Sequence, residues 1–256
     1  MKLQFWLSIC LLFQTVSAFC QNTRLNHRNS IGWYNYFGSL KLSKKIGLHT
    51  EYQWRRNDMI FNRKQSLFRT GINYNINPRT LLRGGYALIE TYPYGEVPIN
   101  GLGRDFTEHR FFEMIQLSHK EGLIDFSHRF MLEQRLVGRY SSAEVKSEDD
   151  FPLLHRVRYM TRLQIPLKGR EIKDKTPYIA AYNEVFIGFG KNVNANIFDQ
   201  NRVGLLVGLR INKNVRLEAG YLNQILQFGR QINNQNIFQH NHGIILNTNL
   251  NVDLSK

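Results

Sequence analysis

Ile46-Gly47-Leu48-His49-Thr50-Glu51-Tyr52-Gln53-Trp54-Arg55 alternates without a break. Successive side chains of an extended chain point to opposite faces. Ile46, Leu48, Thr50, Tyr52 and Trp54 therefore share one face, and Gly47, His49, Glu51, Gln53 and Arg55 share the other. A period of two is the signature of a half-buried strand, and a helix has no use for it. The pattern recurs along the chain. Val157, Tyr159, Thr161, Leu163 and Ile165 oppose Arg156, Arg158, Arg162 and Gln164. Val203, Leu205, Val207, Leu209 and Ile211 oppose Gln200, Arg202, Gly204 and Arg210. Ile244, Leu246, Thr248, Leu250 and Val252 oppose Asn247, Asn249 and Asn251.

The alternation predicts strands over 30–41, 45–56, 64–76, 80–92, 107–119, 123–137, 153–166, 177–189, 199–211, 214–227 and 237–252. Most exceed ten residues, whereas a globular strand has roughly five or six. A tilted strand that crosses a bilayer needs about nine to eleven. Short turns at 75–79, 119–122 and 212–214 separate longer loops at 91–106, 138–152, 190–198 and 228–236. Short turns on one side and long loops on the other mark an outer-membrane barrel. The 167–176 connection is long for a periplasmic turn and departs from that rule. The fold expected is thus all-β: an antiparallel transmembrane β-barrel with short periplasmic turns and longer extracellular loops. Bacterial single-chain barrels have even strand numbers. A short first strand at 22–29 would bring the eleven runs to twelve, with ten as the alternative and both termini periplasmic.

Residues 1–20 read as a secretory signal peptide: Lys2 supplies the charge, Leu3 to Phe13 the apolar run, and Thr15-Val16-Ser17-Ala18 the small-residue region. Residues 21–256 form the barrel domain. Both cysteines, Cys10 and Cys20, lie in the leader, so the barrel holds together without disulfides.

The chain carries 34 Lys and Arg against 20 Asp and Glu, a formal charge of +14. Such a balance points to nucleic acid when the cations share an outer surface. Here strand parity places Arg55, Arg69, Arg83, Arg110, Arg129, Arg135, Arg156, Arg158, Arg162, Arg202, Arg210 and Arg216 on the polar face. Glu51, Glu108, Asp125, Glu133, Glu184 and Glu218 share it. In a membrane barrel that face lines the lumen. The charge therefore implies no nucleic-acid partner; it forms either a space-filling ionic network or a lumen that favours small anionic solutes. Trp33, Tyr34, Tyr36, Phe37, Tyr52, Trp54, Tyr74, Tyr86, Tyr178, Tyr182 and Tyr221 are expected to form interfacial girdles against outer-membrane lipids. Glu113 and His128 fall on the lipid face and break the pattern.

No catalytic constellation, cofactor motif or metal set emerges. Ser118-His119 and Ser127-His128 are strand neighbours that point to opposite faces. A Gly-x-Ser-x-Gly elbow is missing, and only a cross-strand arrangement such as His155 with Ser141 or Ser142 keeps a lipid hydrolase in view. His240 and His242 share a face, and a rim position accounts for them better than metal binding. A soluble periplasmic ligand-binding barrel is the third alternative and would require an apolar interior.

The sequence resembles the domain-of-unknown-function family 2490, presumed outer-membrane barrels of Gram-negative bacteria. The resemblance rests on Glu51-Tyr52-Gln53-Trp54-Arg55, Gly84-Gly85-Tyr86, Glu108-His109-Arg110, His128 to Arg135, Arg156-Val157-Arg158-Tyr159, Asp199-Gln200-Asn201-Arg202 and Gly220-Tyr221-Leu222. It implies location and architecture and assigns no activity, so no catalytic residue carries over.

Overall fold

The computed structural model describes residues 24–194 and 196–255. The leader assigned to residues 1–20 lies outside them. Eleven strands and no helix make up the described chain: β1 (Arg24–Lys41), β2 (Ile46–Asn57), β3 (Asn62–Asn77), β4 (Thr80–Thr91), β5 (Phe106–Glu121), β6 (Ile124–Val137), β7 (Leu153–Pro166), β8 (Thr176–Phe189), β9 (Phe198–Arg210), β10 (Val215–Ile232) and β11 (Gln235–Asp253). Each pairs antiparallel with its neighbour in sequence, and β1 closes the barrel by pairing parallel with β11.

The described residues form eleven strands, neither twelve nor ten. Residues 24–29 make no strand of their own, because they continue β1 without a turn and pair with Asn236–Asn241 of β11. With an odd number, first and last strands point the same way. A parallel ladder accommodates this, since its bonds are evenly spaced and only slightly weaker per residue. Arg24 and Asp253 accordingly sit at opposite ends, which corrects the expectation of two termini on one side. The connections 42–45, 78–79, 122–123, 167–175 and 211–214 share the end of Asp253; 58–61, 92–105, 138–152, 190–197 and 233–234 share the end of Arg24.

The segment 228–236 is no loop. β10 and β11 run on to a two-residue turn, with Asn233 and Asn234 at φ of 49° and 59°. Two successive left-handed residues make the hairpin turn whose twist matches the strands, and Asn tolerates it. The long 167–175 connection folds over the barrel mouth. Lys120 Nζ donates to the Arg170 carbonyl at 2.8 Å and Arg210 Nη1 to that of Ile172 at 3.0 Å.

The barrel is inverted relative to a water-soluble one. Leu48, Tyr52, Trp54, Phe68, Ile72, Phe130, Val157, Tyr159, Leu205 and Val207 are exposed, whereas Glu51, Arg69, Glu108, Arg110, Glu133 and Arg156 are buried. Small apolar clusters break up the polar interior: Ile31, Trp33, Tyr178, Ala180, Leu206, Leu222 and Ile245 form one, and Phe112, Met114 and Met131 another. Four expected girdle aromatics belong to this interior. Trp33, Phe37, Tyr178 and Tyr182 occupy the inward parity of β1 and β8, while Tyr34, Tyr36, Tyr52, Trp54, Tyr74 and Tyr221 face out.

Candidate functional site

Inward residues of β2, β3 and β5 to β10 meet in an ionic septum across the lumen. Glu133 is its centre, with no exposed surface. Arg156 donates to it through Nε at 2.8 Å and stands at 2.6 Å through Nη2; Arg110 and Arg158 donate at 3.1 and 2.7 Å; Arg69 stands 3.9 Å away. Glu108 takes two hydrogen bonds each from Arg110 and Arg135, all between 2.7 and 3.0 Å. Glu51 receives Arg69 at 2.9 Å through both oxygens and lies 3.1 Å from His49 Nε2. Glu184 joins Arg129 at 2.8 Å, Arg158 at 2.7 Å and Arg202 at 3.8 Å. Glu218 accepts from Arg162 and from Tyr178 at 2.8 Å. The planar guanidinium fork matches a carboxylate with two parallel bonds, which is why Arg rather than Lys fills this space.

One acid of the septum escapes strand parity. Asp199 is buried and accepts from Arg156, with Arg135 at 3.9 Å. It is the extra residue of a bulge: Phe186 pairs with Gln200 and Ile187 with Phe198, leaving Asp199 unopposed. Lys64 is the mirror case. Arg55 pairs with Gln65 and Arg56 with Arg63, so the residue between is extruded. A bulge re-aims a side chain, and both residues turn inward from positions that simple alternation assigns outward. The visible trace in sequence is a pair of adjacent polar residues, Lys64-Gln65 and Asp199-Gln200, at the start of an otherwise alternating run.

Toward the short-turn end the septum opens into a vestibule of about 1250 Å³. Eleven Lys and Arg line it against five Asp and Glu. Arg83 and Arg216 have no carboxylate within ion-pair distance among the described residues. Arg83 donates only to Asn73 Oδ1, at 2.6 Å, and Arg216 Nε is buried without a partner. Asp125, expected in the lumen, lines the vestibule, and Arg210 stands 3.1 Å from Asp174 at the mouth. At the opposite end the 92–105 connection dips into the barrel. Gly95, at φ 72°, makes that turn where a Cβ would stand 2.6 Å from Asn29 Oδ1. Tyr94 is thereby buried and donates to Gln239, and Arg230 Nη2 holds the Pro98 carbonyl at 2.7 Å.

A family model described as protein of unknown function (DUF2490) matches residues 31–236. The chain belongs to this family. No curated protein and no solved structure matches it. The DUF2490 match spans the septum, the vestibule floor and the Tyr94 loop together. Of the exposed-face anomalies in this DUF2490 barrel, Glu113 accepts from Gln134 Nε2 at 3.0 Å, and His128 Nδ1 meets the Tyr159 hydroxyl at 2.9 Å. Ser118 and Ser127 line the vestibule, while His119 and His128 stack on each other at 5.4 Å. His155 stacks on Phe189, and Ser141 bonds Asp149. His240 and His242 meet Asn26 at 3.0 Å and Asn223 at 3.3 Å.

Proposed function

We propose that the protein is an exported outer-membrane barrel without catalytic activity, whose basic vestibule takes up small anionic solutes. The inverted exterior supports membrane insertion, because an apolar sheet of this size facing water drives aggregation. Strands of 12 to 19 residues exceed what a bilayer requires. An ionic interior also speaks against a soluble barrel that holds an apolar ligand. Short turns of bacterial barrels face the periplasm; the vestibule then opens inward to the periplasm and the Tyr94 loop faces outward.

The excess of Lys and Arg in the vestibule, with Arg83 and Arg216 lacking a carboxylate partner among the described residues, carries the anion reading. Free guanidinium donors in a confined, low-dielectric space attract carboxylates and phosphates. The septum stands between vestibule and loop end, so the solute binds rather than streams through. Two measurements test this. Cell fractionation with heat-modifiable gel mobility places the protein in the outer membrane; a soluble periplasmic protein would end the membrane reading. Calorimetric titration of the detergent-solubilised protein with inorganic phosphate and succinate gives saturable binding. Arg83→Gln/Arg216→Gln weakens it at least tenfold, since a charged hydrogen bond contributes about 1.5–3 kcal/mol. Equal affinity in that variant refutes the site.

A further inference from the structure

We propose that a second, enclosed site for a small monovalent anion lies on the loop side of the septum, walled by Lys64 and Arg55 and closed by Tyr94. Neither cation lines the vestibule, and neither has a carboxylate within ion-pair distance among the described residues. Lys64, only 4% exposed, is turned inward by its bulge; its Nζ sits 4.5 Å above the Tyr94 ring and donates to Gln224 Oε1 across the lumen at 3.3 Å. Arg55 lies 4.0 Å over the Trp33 ring, with Arg202 on the same ring at 4.8 Å. Cations this deeply buried persist as cations only beside a counter-charge, because the desolvation penalty is several kcal/mol per ion.

Hydrogen-bond accounting points the same way. Most amide oxygens around Lys64 and Arg55 already accept, although Asn57 Oδ1, on the inward face of β2 that also carries Arg55, is buried without a partner. Gln53 Oε1 and Gln65 Oε1 take Arg55. Gln200 Oε1 takes Arg202 and Gln224 Nε2; Gln224 Oε1 takes Lys64 and Asn241; Gln239 Oε1 takes Tyr94 and Asn241. Donors are left over. Lys64 has three N–H groups and one hydrogen-bonded acceptor. Gln239 Nε2, in a residue only 1% exposed, has no partner at all. With most acceptors taken, donors to spare and two cations that lack a carboxylate, this part of the interior is completed by an acceptor that carries negative charge. Lys64 and Gln224 meet across the lumen at 3.3 Å, which favours a small acceptor such as a halide, nitrate or formate. Burial pushes the Tyr94 phenol up, so the lid residue stays a neutral donor.

Thermal unfolding of the full chain in detergent tests the site, with sodium chloride, nitrate or formate titrated against sodium gluconate at constant ionic strength. The wild type gains about 5 °C at hundredfold excess over Kd, in a saturable curve. The gain persists in Arg83→Gln/Arg216→Gln and disappears in Lys64→Met. Persistence in Lys64→Met with loss in the vestibule variant assigns the anion to the vestibule alone and overturns the second site. So does a wild type without a saturable response, as when Lys64 is buried neutral. Should Lys64→Met not fold, bromide-soaked crystals of the wild type decide: an anomalous peak beside Lys64 Nζ supports the site, and its absence refutes it. Phosphate binding to the vestibule is measured separately, so each site succeeds or fails on its own.

Discussion

Replacing Glu133 by Gln removes one unit of negative charge and almost no volume, and it strikes the point where the septum converges. The carboxylate has no exposed surface and holds Arg110, Arg156 and Arg158 at 2.6–3.1 Å, with Arg69 at 3.9 Å. One oxygen receives Arg156 and the other receives Arg110 and Arg158. The Gln amide keeps only one acceptor, so whichever way it turns, at least one guanidinium faces N–H groups. Losing one or two charge-assisted bonds costs about 1.5–3 kcal/mol each. Relief of the carboxylate's own desolvation offsets part of that, while the remaining cations lose their shared counter-charge. Breaking buried pairs in this way costs about 3–5 kcal/mol, and about 4 kcal/mol is the expected loss here. Urea unfolding of protein refolded into lipid bilayers, followed by tryptophan fluorescence and by heat-modifiable mobility, measures it. Glu133→Gln/Arg156→Gln removes a cation together with the anion and recovers about 1–2 kcal/mol, because the coupling between neighbours is not additive. A loss below about 1 kcal/mol in the single variant, with no recovery in the double, would refute the septum as a mutually dependent network.

Ser39 and Asn251 are register partners across the β1–β11 seam. With Cys10 and Cys20 replaced by Ser, Ser39→Cys/Asn251→Cys forms a disulfide under mild oxidation, as paired strand positions lie within bridging distance; a free dithiol rules out the parallel closure. Gly95→Val places a side chain at φ 72° and against Asn29. It lifts Tyr94 from Gln239 and is read as new protease cleavage within 92–105; an unchanged digestion pattern shows that the loop is held by other contacts. Glu113→Leu removes a carboxylate from the outer belt. It raises stability in bilayers by about 1 kcal/mol, less than for a basic residue at mid-depth, and a decrease in urea midpoint would place Glu113 outside the hydrocarbon.

The outline of the barrel was legible because period-two alternation and strand length are backbone properties that each strand states for itself. Closure is not such a property. The parallel seam depends on residues 24–29 continuing β1 rather than turning, and no proline or glycine marks that choice in Arg24-Leu25-Asn26-His27-Arg28-Asn29. The lumen assignments for Glu51, Glu108, Glu133 and Glu218 follow from parity, and the structure buries all four. The turn at Asn233-Asn234 is not legible in the sequence, because an Asn pair serves either a long loop or a tight hairpin and only the φ values separate them.

Parity fails where a bulge intervenes, and the two bulges that matter each deliver a charge. Asp199 adds an acid to the septum, where Arg135 and Arg156 outnumber it. Lys64 adds a cation beside Arg55, which already lacks an acid. A bulge interrupts ladder bonding, so holding one in place requires compensation from what the extruded side chain gains. For Asp199 that gain is visible in its two arginines. For Lys64 the protein supplies one amide oxygen and an aromatic face, too little for a fully buried ammonium. The asymmetry between the two bulges, one compensated by the chain and one not, is the physical reason to look for the missing partner in solution.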